Sequence, residues 1–64
     1  MPNVVIDGPI LNNIEIKRIL VKEVTDALEK AYKINRKAFT VVIRENSPES
    51  VGVAGSLLID RRQQ

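Results

Sequence analysis

One long helical pattern lies between two short β-branched runs, and this order constrains the fold more than any other feature of the chain. The first run, 4–6, precedes Gly8-Pro9, which we expect to end a strand after Asp7. The second run, 38–43, precedes a polar exit loop over 44–49. Two strands joined by a helix are expected to be parallel, with a right-handed crossover. The sequence therefore predicts an α+β fold built on a single β-α-β unit.

The helical pattern runs from about Asn13 to Lys33. Asn12-Asn13 is typical of a helix start, because an Asn side chain at the cap accepts a hydrogen bond from a free backbone N–H. Glu15, three residues after Asn12, is placed to complete a capping box. Apolar residues recur at three- and four-residue steps, which indicates one buried helix face. The positions expected on that face are Ile16, Leu20, Val24, Ala27, Ala31 and Ile34.

The last part of the chain carries two glycines and then an apolar run. Gly52 and Gly55 permit tight turns, so we expect a short hairpin or extended arm over 50–59. A phosphate-binding loop is disfavoured here, because the Lys and Ser/Thr of that motif do not follow the glycines. The basic and polar end, 60–64, is expected to be frayed.

The chain is too small to enclose a large core by itself. Its 64 residues form one predicted domain, 1–64, and a domain of this size buries only about 60% of the surface of its unfolded chain. Alternation along the first strand places Val5 on the face opposite Val4 and Ile6, and Val42 of the second strand likewise lies opposite its apolar neighbours, so both faces are apolar. Parallel strands of this kind are normally covered on both sides. We therefore expect a homo-oligomer in which sheets pack on sheets.

The composition excludes several kinds of site. The chain has no Cys and no His, which excludes Ser-His and Cys-His nucleophiles and predicts no metal site of the zinc type. Its net charge is +2, with ten basic and eight acidic residues interspersed, so no nucleic-acid partner is expected. A ribbon-helix-helix DNA-binding dimer is the weakest alternative, because no second helix is predicted.

The sequence shows neither a secretory signal pattern nor a stretch of roughly 20 apolar residues. We expect no membrane partner and a cytoplasmic location.

Pro2 is the candidate base. Removal of Met1 would leave Pro2 with a free secondary amine, and an amine in an apolar site has its pKa lowered towards neutrality. The alternative interpretation is an ordinary proline at the start of a strand.

Taken together, these features resemble the 4-oxalocrotonate tautomerase family. The resemblance covers nearly the whole chain, and its most specific parts are Pro2, the Glu23-Val24 register inside the helix, and the segment 52–55. It implies a β-α-β protomer with a C-terminal hairpin, assembled as a homohexamer that is a trimer of dimers. The implied activity is a cofactor-free enol–keto tautomerase in which Pro2 moves a proton between positions of a small 2-oxo or 2-hydroxydienoic acid.

The residues expected to bind the substrate carboxylate differ from those of the family. Asn12 and Thr40 occupy the positions of its substrate-binding arginines, and Val51 occupies that of an aromatic residue lining the pocket. We expect Arg36 to substitute, because the N-terminal ends of parallel strands lie together, with Arg61 or Arg62 reaching a neighbouring subunit as the second possibility. The replaced arginines leave one further hypothesis: a non-catalytic oligomeric family member that binds a small ligand.

Overall fold

The computed structural model describes residues 2–61, and its elements follow the predicted order. β1 spans Asn3–Pro9, α1 spans Ile14–Tyr32 and β2 spans Thr40–Asn46. β1 and β2 pair in parallel, which confirms the β-α-β unit. The C-terminal elements are β3 (Gly52–Val53), β4 (Ser56–Leu57) and α2 (Leu58–Arg61).

β1 extends further than the sequence predicts. Gly8 and Pro9 do not end the strand after Asp7, since both pair with the last two residues of β2. Among residues 2–61, the sheet formed by β1 and β2 has only these two strands, so β1 is an edge strand. A proline is tolerated there because its missing N–H removes no bond on the unpaired side. The Gly-Pro pair is therefore part of the ladder rather than a turn.

β2 also differs from its predicted bounds. It continues to Asn46, beyond the predicted end at Ile43. It begins later than predicted because Arg36–Ala38 form a 3₁₀ turn, whose cap is Asn35; the Asn35 side chain accepts the Lys37 N–H at 2.8 Å. This turn uses the first residue of the predicted run, so the ladder with β1 starts only at Thr40.

α1 begins directly after Asn13, as predicted. The Asn13 Oδ1 atom accepts the backbone N–H groups of Glu15 at 2.9 Å and of Ile16 at 3.2 Å. The predicted capping box is wrong: the cap is Asn13 rather than Asn12, and the Glu15 carboxylate pairs with Arg18 instead. The helix ends at Tyr32, one residue before the predicted end.

The helix face turned towards the sheet is only partly the predicted one. Leu20 and Val24 are half-buried, but Ile16 and Ile34 keep 49% and 44% of their surface exposed. The apolar arc of α1 covers about half of the helix circumference, which is wider than a two-stranded sheet can cover. The predicted positions that are exposed are Ile16, Ala27, Ala31 and Ile34, and the half-buried apolar residues are Leu20, Val21, Val24 and Leu28.

The protomer has no enclosed core within residues 2–61. No described residue is fully buried, and Val5 and Val42 on the outer sheet face are 47% and 41% exposed. The radius of gyration is 15.3 Å, whereas a compact domain of this length has a value of about 11 Å. The outer apolar sheet face of the single protomer is therefore uncovered. Within the same residues, neither helix has the length and apolar character needed to cross a bilayer.

The predicted C-terminal hairpin is confirmed. β3 and β4 pair antiparallel, and the two residues between them, Ala54 and Gly55, have φ angles of 55° and 85°. Positive φ at both central residues is the pattern of a type I′ turn, which suits the twist of a two-residue hairpin. The N–H of Leu58 donates to the Val51 carbonyl at 2.8 Å, and α2 packs against the 3₁₀ turn Pro48–Ser50 that follows β2.

We expect Asn13→Ala to lower the free energy of unfolding by about 1 kcal/mol, because two N–H groups at the start of α1 lose their acceptor. Denaturant unfolding at fixed protein concentration measures this change. Asn13→Asp is the control: it keeps the acceptor and places a negative charge at the helix N-terminus, so it should match the wild type. Equal stability of the Ala variant would contradict a role for this cap.

Candidate functional site

The parallel pairing places Pro2 beside the start of β2. The N–H of Thr40 donates to the Pro2 carbonyl at 3.3 Å, and Pro2 is half-buried. Phe39, the residue before β2, packs against Tyr32 with ring centroids 5.9 Å apart. Of the predicted site residues, Pro2 and Thr40 are therefore neighbours at one end of the sheet.

Asn12 and Val51 lie at the opposite end of the sheet. Asn12 follows the last residue of β1, and Val51 lies beyond the end of β2. β1 has seven residues, which corresponds to a length of about 23 Å. The structure therefore does not bring these two positions to the Pro2 of the same protomer, and one small substrate cannot contact both ends.

A cleft of about 320 Å³ lies at this opposite end, between the ends of the two strands and α2. Its apolar wall includes Pro9, Val51 and Leu58, and the polar side chains at its edge are Asp7 and Asn46. Sequence reasoning singled out only Val51. The expected parallel pairing could have indicated the other residues that line the cleft, since it places the ends of β1 and β2 side by side.

Arg36 is held by two carboxylates of α1. Its Nη1 atom donates to Asp26 Oδ1 at 3.1 Å and to Glu29 Oε1 at 2.9 Å. The predicted substrate-binding arginine therefore ties the 3₁₀ turn to the helix, and a substrate carboxylate would have to compete with both acidic residues. Lys37, the next residue, forms no ion pair with a carboxylate in the described part of the chain.

Arg61 is ordered in α2, so the expectation of a frayed end is wrong for Asp60 and Arg61. The Arg61 Nη1 atom donates to the carbonyl of Val53 at 3.5 Å, which directs it to the hairpin of its own protomer. Arg62, the other candidate of the tail, lies outside the described residues, as do 63–64.

The charge of Asp26 is stabilised by its neighbours. A hydrogen bond from Lys22 at 2.9 Å, followed by the one from Arg36, holds the pKa of Asp26 below its ordinary value of 3.8. A lowered pKa means that the folded protein favours the ionised carboxylate more than the unfolded chain does. The associated stabilisation is therefore complete above pH 3.8 and is lost as the pH falls through the lowered pKa.

We expect Asp26→Asn to lower the melting temperature at pH 7, with a difference from the wild type that shrinks below pH 3.8. Melting curves recorded from pH 7 to pH 2 measure this. Asp60→Asn removes a carboxylate that forms no ion pair among the described residues, so it serves as the control and should follow the wild type. A constant Asp26→Asn difference at all pH values would contradict the assignment.

Comparison with known proteins agrees with this architecture. The model of the tautomerase enzyme family matches residues 2–61. A probable tautomerase of Staphylococcus aureus is 58% identical over 36 residues, and the match covers 56% of this chain and 59% of that relative. The chain thus matches about three fifths of the length of the curated relatives.

Solved structures match over greater lengths. SAR1376 from methicillin-resistant Staphylococcus aureus is 42% identical, with a TM-score of 0.80, and the match covers 92% of this chain and 95% of that one. DmpI from Archaeoglobus fulgidus is 36% identical, with a TM-score of 0.81 and coverage of 92% and 100%. YwhB, a homologue of 4-oxalocrotonate tautomerase, is 30% identical, with a TM-score of 0.84 and coverage of 92% and 97%. Since the family model spans nearly the whole β-α-β unit and hairpin, the chain belongs to the tautomerase enzyme family.

Proposed function

We propose that the protein is a cofactor-independent enol–keto tautomerase that acts on a small 2-oxo or 2-hydroxydienoic acid. The observation that carries this proposal is the position of Pro2, which is half-buried at the first residue of the family match and beside the start of β2. In the reaction, the base removes a proton from the enol hydroxyl or from a carbon of the acid. The same proton is returned at a different position, so no oxidant or reductant is required.

The Pro2 nitrogen is the proposed base, and Met1 decides whether it can act. While Met1 is attached, this nitrogen belongs to a tertiary amide and has no basic lone pair. Removal of Met1 leaves a secondary amine at the start of β1. Partial burial disfavours the charged form of an amine, which lowers its pKa towards the range in which a base works at neutral pH.

The proposed site takes parts from different protomers. Pro2 and Thr40 lie at one end of the sheet, whereas Asn12, Val51 and the cleft lie about 23 Å away at the other. A substrate can contact both sets only where the ends of two protomers meet. The uncovered outer sheet face supports such an assembly, and the family resemblance suggests a homohexamer that is a trimer of dimers.

A second candidate function is supported by the charges. Asn12 and Thr40 are uncharged, and Arg36 is engaged by Asp26 and Glu29. A substrate carboxylate therefore lacks the free guanidinium group that gives strong bidentate recognition, and a developing enolate has weaker electrostatic stabilisation. The alternative is accordingly an oligomer that keeps the fold and binds a small acid without turning it over.

We expect Pro2→Ala to lower kcat for ketonisation of phenylenolpyruvate or a simple 2-hydroxydienoate by at least about 100-fold, the usual contribution of a positioned general base. The loss of the enol absorbance measures this. The matched control is the wild-type sequence with Met1 retained, which intact mass identifies and which should be equally inactive. Undiminished turnover by Pro2→Ala would rule out Pro2 as the base. Absence of proton exchange in the processed wild type would favour the ligand-binding alternative.

We expect Arg36→Ala to lower the melting temperature, because its contacts with Asp26 and Glu29 are lost. KM for a monocarboxylate substrate rises at least about tenfold only if Arg36 exchanges these contacts for the substrate carboxylate, since a hydrogen bond to a charged group contributes about 1.5–3 kcal/mol. Lys37→Ala is the matched control, since it removes the adjacent cation and leaves the Asp26 and Glu29 contacts in place. Steady-state kinetics and the melting temperature are measured together. A lowered melting temperature with an unchanged KM would assign Arg36 to the structural contact with α1 alone.

A further inference from the structure

We infer that Glu45 is a positioning residue for the proposed site: it fixes the loop between β1 and α1, and with it the location of Asn12. This inference rests on the proposed function in treating Asn12 as a substrate contact. Asn12 lies in the loop between β1 and α1 and is exposed. Its side chain makes no hydrogen bond to any other residue of the described chain, so its location depends on how its backbone neighbours are held.

Both oxygens of the Glu45 carboxylate accept hydrogen bonds. Oε2 accepts the backbone N–H of Leu11 at 2.8 Å, and Oε1 accepts from the Lys17 ammonium group at 2.9 Å. Leu11 belongs to the loop, Lys17 to the first turns of α1 and Glu45 to β2. One side chain therefore joins the loop and the helix to the end of the sheet, across sequence separations of 34 and 28 residues.

This ion pair is the most shielded one in the described part of the chain. The side chains of Lys17 and Glu45 keep 29% and 26% of their surface exposed, whereas those of the other ion pairs keep 36% or more. Shielded charges are screened less by salt than exposed ones. The hydrogen bond from Lys17, followed by that from the Leu11 N–H, holds the pKa of Glu45 below its ordinary value, so the carboxylate is ionised at neutral pH.

The two neighbours of Asn12 in the chain are thus both fixed. The N–H of Leu11 is bound by Glu45, and the side chain of Asn13 caps α1. Gly8 is the partner of Glu45 in the ladder, and no atom lies within 4 Å of the position that a Cβ would take there. The Glu45 side chain therefore has room to cross the end of β1 and reach the loop.

The test compares Glu45→Ala with Glu45→Gln and Lys17→Met by amide hydrogen exchange at Leu11. Glu45→Ala removes the acceptor, so exchange at Leu11 should rise at least about tenfold, the change expected for a lost charge-assisted hydrogen bond. Glu45→Gln keeps an acceptor oxygen and should restore most of the protection. Lys17→Met should leave Leu11 protected. Glu49→Gln, a nearby exposed carboxylate outside the cleft lining, is the matched control.

A double-mutant cycle links the loop to the substrate. Glu45→Ala should raise KM several-fold in the wild-type background and change it little in the Asn12→Ala background, because its effect passes through Asn12. Unchanged exchange at Leu11, or effects of the two substitutions that simply add, would overturn the inference. An inactive wild-type protein would overturn the proposed function instead, and the positioning role would then be decided by the exchange at Leu11 and at Asn12.

Discussion

The parallel pairing of β1 with β2 is the constraint on which the rest of the structure depends. Because the strands run in the same direction, their starts share one end of the sheet and their ends share the other. The first end holds Pro2 and Thr40, and the second holds Asn12, Val51 and the cleft. The chain must return from the end of β1 to the start of β2, so the connecting helix α1 covers one face of the sheet. The opposite face remains apolar and open. The fold, the separation of the proposed site residues and the open outer sheet face therefore have one origin.

Much of this arrangement can be predicted from sequence, because it depends on local patterns. The order of elements, the helix start at about Asn13 and the C-terminal hairpin all follow from residues close together in the chain. The predicted end of β1 is wrong because Gly8-Pro9 is typical of a turn when the sequence is considered alone. In the structure, both residues pair with β2 at the end of an edge strand. The spacing of apolar residues could not identify which of them face the sheet, because the apolar arc of α1 is wider than the two-stranded sheet. The partners of Arg36 lie seven and ten residues away, and no local pattern indicates them.

Carboxylates already pair with several of the cations that could otherwise bind an anion. Asp26 and Glu29 hold Arg36, and Glu45 holds Lys17. The net charge of +2 therefore says little about the field near a bound acid. Under the proposed function, recognition of the substrate would depend more on neutral donors and on the apolar cleft, which favours an acid with one carboxylate over one with two.

The lack of any fully buried residue in the described part of the protomer has a kinetic consequence. If the apolar faces are covered only by other copies, completion of the core is a second-order process, and its rate rises with chain concentration. A newly made chain would pass through a period in which its secondary structure is present but its hydrophobic surface is open to the wrong partners. Expression level, rather than local folding speed, would then set how much of the chain reaches its native assembly.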